Sequence, residues 1–296
     1  RLVVAIEHLT VLASSTAPAD KASANAVLER LQRVRREVAT EPLILQRLAA
    51  LLRLARIAAG VVYDASPPAP AFGGRAAWID RETVELTYEF DAASEQADWI
   101  SQPDYLQGWR NKFQEITVPE GDRKFEPRAG AWSGKGSFVF RHVLPFEAPL
   151  KINVVLRHGK AADEGADLGH FALGVCYRSP GEYAAVSERG EVFVVDVKAD
   201  KYVTTSPASP TDTVIGAKVL LELTHDGEKL RYVHEGQAEP EQPTGTLRSG
   251  SVLLLVHTNR ELAIESVTIR GKLGAEAQKL LRERWIAHAV EKTGLE

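Results

Sequence analysis

Between residues 84 and 90 the chain alternates. Val84, Leu86, Tyr88 and Phe90 are apolar or aromatic, and Glu85, Thr87 and Glu89 lie between them. A period of two places the first set on one face of an extended strand and the second on the other. Further runs of strand character follow at short intervals: FQEITV, GSFVFRHV, LKINVVLRH, HFALGVCY, EYAAVSE, EVFVVDVKA, AKVLLELTH, KLRYVHEG, GSVLLLVHT and LAIESVTIRG. Turn sequences such as PEGD, SPGE, HDGE and SPASPTD separate them. Short strands with no helix between them predict a β-sandwich or barrel. In LTHDGEKLRYVHEG, Asp226-Gly227 marks the tightest hairpin.

The period differs before residue 63 and after residue 273. Val27, Leu31, Val34 and Val38 recur every three or four positions, which predicts one face of a helix. Pro42 breaks that pattern, and LILQRLAALLRLARIAAG gives a second helix ending at Gly60. Residues 2–13 add a candidate third helix. DASPPAPAFGG reads as a semi-extended linker. At the other end Ala277, Leu281, Trp285 and Ala289 form a stripe, with Leu280 and Ile286 beside it. The expected organisation is a helical segment over 1–63 (a helical hairpin or the end of a helical array), a linker over 64–75, a sandwich over 76–273 and an amphipathic helix over 274–294.

Composition narrows the function classes. The chain has 296 residues, 44% hydrophobic and 26% charged, a globular profile. A net charge of −4 gives no field to recruit nucleic acid. No apolar run reaches the ~20 residues of a membrane span. One cysteine, Cys176, excludes an intrachain disulfide and a cysteine-based zinc site. No Gly-x-Ser-x-Gly and no phosphate-loop spacing occurs. With Arg1 first and no Met anywhere, the chain reads as a piece of a longer protein.

The order of features from residue 78 to residue 273 resembles the concanavalin A-like/laminin G-like jelly-roll superfamily, in particular bacterial domains of the DUF1080 and LamG type. The residues that carry this are VELTYEFDAASEQADWI, GWRNKFQEITV, LTHDGEKLRYVHEG and the closing GSVLLLVHTNRELAIESVTIRGKL. The resemblance implies a jelly-roll β-sandwich. It also implies a link to sugars, since some DUF1080 members hydrolyse 3-keto-disaccharides and others bind carbohydrate. The Asn-Ser-Gly stretch of the hydrolase-like members has no counterpart. GHFALGVCYRS stands there, so no catalytic residue carries over.

Aromatic and polar residues cluster early in the sandwich. Trp99, Tyr105, Trp109 and Trp132 are interleaved with charged and amide side chains. Flat rings stack on sugar faces while polar groups fix hydroxyls. Trp99 and Trp109 are read first as packing residues, Trp99 anchoring the turn after the first sandwich strand. Trp132, in RAGAWSGKGS with Arg128 and Lys135 near it, is the aromatic best placed for exposure. The ligand-binding candidates are therefore Trp132, Trp109, Tyr105, Arg128 and Lys135. In RHGKAADEGADLGH, Asp163, Glu164 and Asp167 offer calcium-type oxygen donors. A solvated hairpin tip ranks ahead of a metal site there, and no cofactor other than calcium is expected. Glu85 and Glu89 share a strand face, read as the wet face of an antiparallel sheet.

The expected protein is mainly β: a jelly-roll sandwich preceded by helices and closed by one. Its expected role is a non-catalytic module recognising a glycan or a protein within a larger bacterial envelope protein. A sugar hydrolase and a purely structural assembly domain are the alternatives.

Overall fold

The structure is a computed structural model that describes residues 8–12, 17–37, 42–59, 72–80, 82–102, 124–128, 130–159, 169–199, 201–205, 216–234, 236–238 and 241–291. The chain forms two compact units, residues 1–71 with 275–296 and residues 72–274.

The first unit is helical: α1 (Pro18–Glu37), α2 (Pro42–Ala58) and α3 (Ala275–Glu291). Pro42 opens α2, a position where its missing N–H costs nothing. α2 packs against both α1 and α3. It buries Leu48, Leu51, Leu52, Leu54, Ala55 and Ile57, too many for one stripe, as expected of the central helix of a bundle. On α1 the buried residues are Ala24 and Leu28, while Val27, Leu31 and Val34 are half-buried. The contact is thus rotated from the expected stripe toward a small residue that admits close helix approach. Ala277, Leu281 and Ile286 are the buried positions of α3.

The second unit is mainly β, with strands β1 (Arg75–Trp78), β2 (Thr83–Tyr88), β3 (Trp99–Gln102), β4 (Lys124–Pro127), β5 (Trp132–His158), β6 (Gly169–Ser179) and β7 (Glu182–Ser187). They continue with β8 (Val192–Asp196), β9 (Lys201–Thr205), β10 (Lys218–His225), β11 (Lys229–His234), β12 (Gln237–Ala238), β13 (Gln242–Pro243) and β14 (Ser249–Lys272). Arg75, the last residue of the expected linker, opens β1. GSFVFRHV and LKINVVLRH, expected as two strands, are one 27-residue strand, β5. GSVLLLVHT and LAIESVTIRG are likewise joined in the 24-residue β14.

These two strands build the sandwich. Ser249–Ile264 of β14 pair with Glu147–Trp132 of β5, and Leu262–Lys272 pair with His158–Glu147. Partner numbers fall on one strand as they rise on the other, so the pairing is antiparallel. Leu262 faces both Gly134 and His158. One residue can have two such partners only if β5 lies on both edges of β14. β5 therefore folds over and crosses from one edge to the other around Pro145–Pro149, and β14 turns its own corner between Thr258 and Leu262. At that corner the Thr258 hydroxyl donates to the Arg260 carbonyl and accepts from the Arg260 N–H.

Two sheets result. Sheet I runs β3/β4, first half of β5, first half of β14, β6, β7, β8, β9. Sheet II runs β1, β2, second half of β14, second half of β5, β10, β11. In sheet II every second residue is buried, as Val84, Leu86 and Tyr88 are on β2. The residues between them face outward and are half-exposed. In sheet I both faces are buried through β7 and β8. Its inner face carries Phe140, Leu254 and Leu173, and its outer face carries Val139, Leu253, Ala185 and Phe193. The predicted hairpin is present: Asp226 accepts from the N–H groups of Glu228 and Lys229, and Gly227 has φ +110°.

Gly250 is where sheet I tolerates no side chain. Its φ is +152°, and a Cβ there would lie 2.4 Å from the carbonyl carbon of Cys176. Gly250→Ala is expected to cost ~1–3 kcal/mol. A urea titration checks it: the midpoint falls while the slope is unchanged.

Candidate functional site

The aromatic residues of the opening region converge inside the sandwich. Trp99 and Trp132 are 6% and 3% exposed. Trp132 lies 4.1 Å from Phe140, 5.2 Å from Phe90 and 5.5 Å from Phe125, centroid to centroid. Trp132 is thus a core residue, not the exposed platform its Gly-rich surroundings suggested. Gly134 gives the reason. A Cβ there would lie 1.8 Å from the Lys124 carbonyl oxygen, so the glycine lets β4 come close and close over the ring. Trp99 is buried as expected, edge-on to Tyr88.

A polar chain threads this cluster. The Leu144 N–H donates to His142 Nδ1 at 3.1 Å, which leaves the ring proton on Nε2. Nε2 donates to the Tyr88 hydroxyl at 2.8 Å, and Tyr88 donates to Asp98 Oδ2 at 3.0 Å. The Gly73 N–H adds a second donor to that oxygen at 2.7 Å. Tyr88 belongs to sheet II and His142 to sheet I, so the chain ties the two sheets together. All three side chains are buried.

Cys176 meets a histidine that lies 49 residues away, a contact that sequence spacing could not reveal. Thr244 donates to the Glu228 carbonyl at 2.9 Å, so it accepts from His225 Nε2 at 3.2 Å. His225 Nδ1 then faces the Cys176 sulfur at 3.8 Å. Cys176 has φ +57°, an uncommon conformation for a residue with a side chain. The geometry resembles a nucleophile with its base, yet the electrostatics oppose it. Burial pushes the thiol up to about 12, against the weaker pull of Arg178 and Arg248. Burial also lowers His225. Both groups are held neutral, so the thiolate–imidazolium pair that would attack a substrate does not form.

A third buried pair joins the end of β5 to the turn after β7: His158 Nε2 lies 2.6 Å from Glu188 Oε2. Asp80, Glu126, Asp196, Asp226, Glu241 and Glu265 are each held below the usual carboxylate range, mainly by hydrogen bonds. The leading donors are the backbone of Glu82 for Asp80, Arg128 for Glu126, Thr246 for Asp196, the backbone of Glu228 for Asp226, Arg231 for Glu241 and Lys218 for Glu265. None of these six is poised as a proton donor near neutral pH. Among the described residues, no three His, Cys, Asp or Glu stand close enough to hold a metal ion, and no helix is long and apolar enough to cross a membrane.

Of the remaining candidates, Arg128 is exposed and paired with Glu126 at 2.6 Å and with Glu261 at 3.4 Å. Lys135 is half-buried on β5. Trp109, Tyr105, Asp163, Glu164 and Asp167 lie outside the described residues.

Among the described residues, the strands organise a polar surface on the outer face of sheet II. The register puts Glu85, Arg270, Lys151, Thr224 and Arg231 in one row across five strands. Thr87, Thr268, Asn153, Glu222 and Val233 form the next row. Lys151 is bound to Glu222 at 2.6 Å, and Glu265 holds both Arg157 and Lys218. Glu85, Thr87, Asn153, Thr268 and Arg270 engage no side-chain partner among the described residues. Four strand spacings make the face ~19 Å wide, on a backbone fixed by two long strands. Sequence alternation marked Glu85 and Thr87 as outward, but it could not bring the other strands beside them.

No family model and no curated protein matches the sequence. Solved structures with similar folds include a protein of unknown function with a galectin-like fold from Bacillus subtilis. It is 8% identical, covers 68% of this chain and 97% of that one, and has a TM-score of 0.43. An endo-β-1,3-glucanase from Pyrococcus furiosus is 9% identical, over 68% and 99% of the two chains, with a TM-score of 0.42. The carbohydrate binding module CBM66 from Bacillus subtilis is 11% identical, over 48% and 84%, with a TM-score of 0.33. At such values the likenesses carry no argument about what this chain binds.

Two outcomes are expected. Trp132→Ala should cost ~3–5 kcal/mol, as for other buried aromatics, read as a large drop in melting temperature. The second concerns pH. The unfolded thiol loses its proton near pH ~8.5, well before the folded one, so stability attributable to Cys176 falls as pH rises from there toward about 12. Urea titrations at pH 8 and pH 10.5 should show a larger loss for the parent than for Cys176→Ala. Equal losses would contradict the buried neutral thiol.

Proposed function

We propose that the sandwich is a non-catalytic recognition module whose ligand is a glycan, carried within a larger protein of the cell envelope. One observation supports this most. Among the described residues, Tyr88, Asp98, His142, Cys176 and His225 are buried in contacts that hold the fold, while the outer face of sheet II presents hydrogen-bonding side chains on paired strands. A glycoside hydrolase needs one carboxyl kept protonated beside one ionised, and the six carboxyls with displaced values are all displaced toward the ionised form. Cys176, the one thiol, is held neutral.

A second reading, assembly, draws on apolar side chains left exposed on the edge strands of sheet I, Ile100 on β3 and Val203 on β9.

A thermal-shift screen against soluble glycans tests the first reading, each run with calcium and with a chelator. Ligand at 100 times its Kd should add ~2.7 kcal/mol, seen as a raised melting temperature without product in the well. Product would instead establish an enzyme. A flat response to every glycan would move the weight to assembly. A shift lost with chelator would bring Asp163, Glu164 and Asp167 forward as calcium ligands.

A further inference from the structure

We draw no further inference here: the strongest candidate, the patch of exposed arginines on the helical unit, Arg30, Arg33 and Arg36 on α1 with Arg53 and Arg56 on α2, carries nothing because Glu29 is exposed among them and nothing in the structure shows what covers that surface.

Discussion

A strand has two hydrogen-bonding edges, and β5 occupies both edges of β14. That closure organises the unit from Phe72 to Gly274. Because β5 crosses from one edge to the other, its first half lies in sheet I and its second half in sheet II. Because β14 turns between Thr258 and Leu262, it accompanies β5 into both. Each sheet then grows outward from the same central pair. The inner faces are forced together, with Tyr88 of one sheet on His142 of the other and Cys176 of one beside His225 of the other. These polar groups sit in a low-dielectric interior, where an unmet donor or acceptor is costly. The hydrogen-bonded chains through His142 and His225 meet that demand. The side chains that look most reactive in isolation are therefore the ones structure has already committed.

Much of this was legible in the chain. Alternation in VELTYEF placed Val84, Leu86, Tyr88 and Phe90 inside, and all four are buried. Asp226-Gly227 marked its hairpin because an Asp can accept from two following N–H groups while Gly takes positive φ. Trp99 was legible as a packing residue. The mainly-β sandwich with helices outside it follows from the change in hydrophobic period, and it is what the structure has.

The parts that were not legible share a cause. β5 and β14 looked like four strands because Pro145–Pro149 and Asn259–Glu261 interrupt the apolar pattern, and a bend reads like a turn when the partner strand is unknown. Trp132 looked exposed because glycines around it suggest a loop. Gly134 is needed instead for the approach of Lys124, a tertiary demand invisible along the chain. The His225 contact with Cys176 and the two polar rows on sheet II depend on register between distant strands. Residue types announced the ingredients of a polar face, while only the pairing of β2, β14, β5, β10 and β11 assembled them.

The central claim is that function lies on the polar face of sheet II, with Cys176, His142 and His225 of the interior serving the fold. An amide NMR titration with a glycan that raises the melting temperature tests it most directly. The account predicts shifts concentrated in 83–88, 151–157, 218–224 and 266–272, the strands that carry the two rows. Shifts centred instead on 132–142 or 171–177, within sheet I, would contradict it.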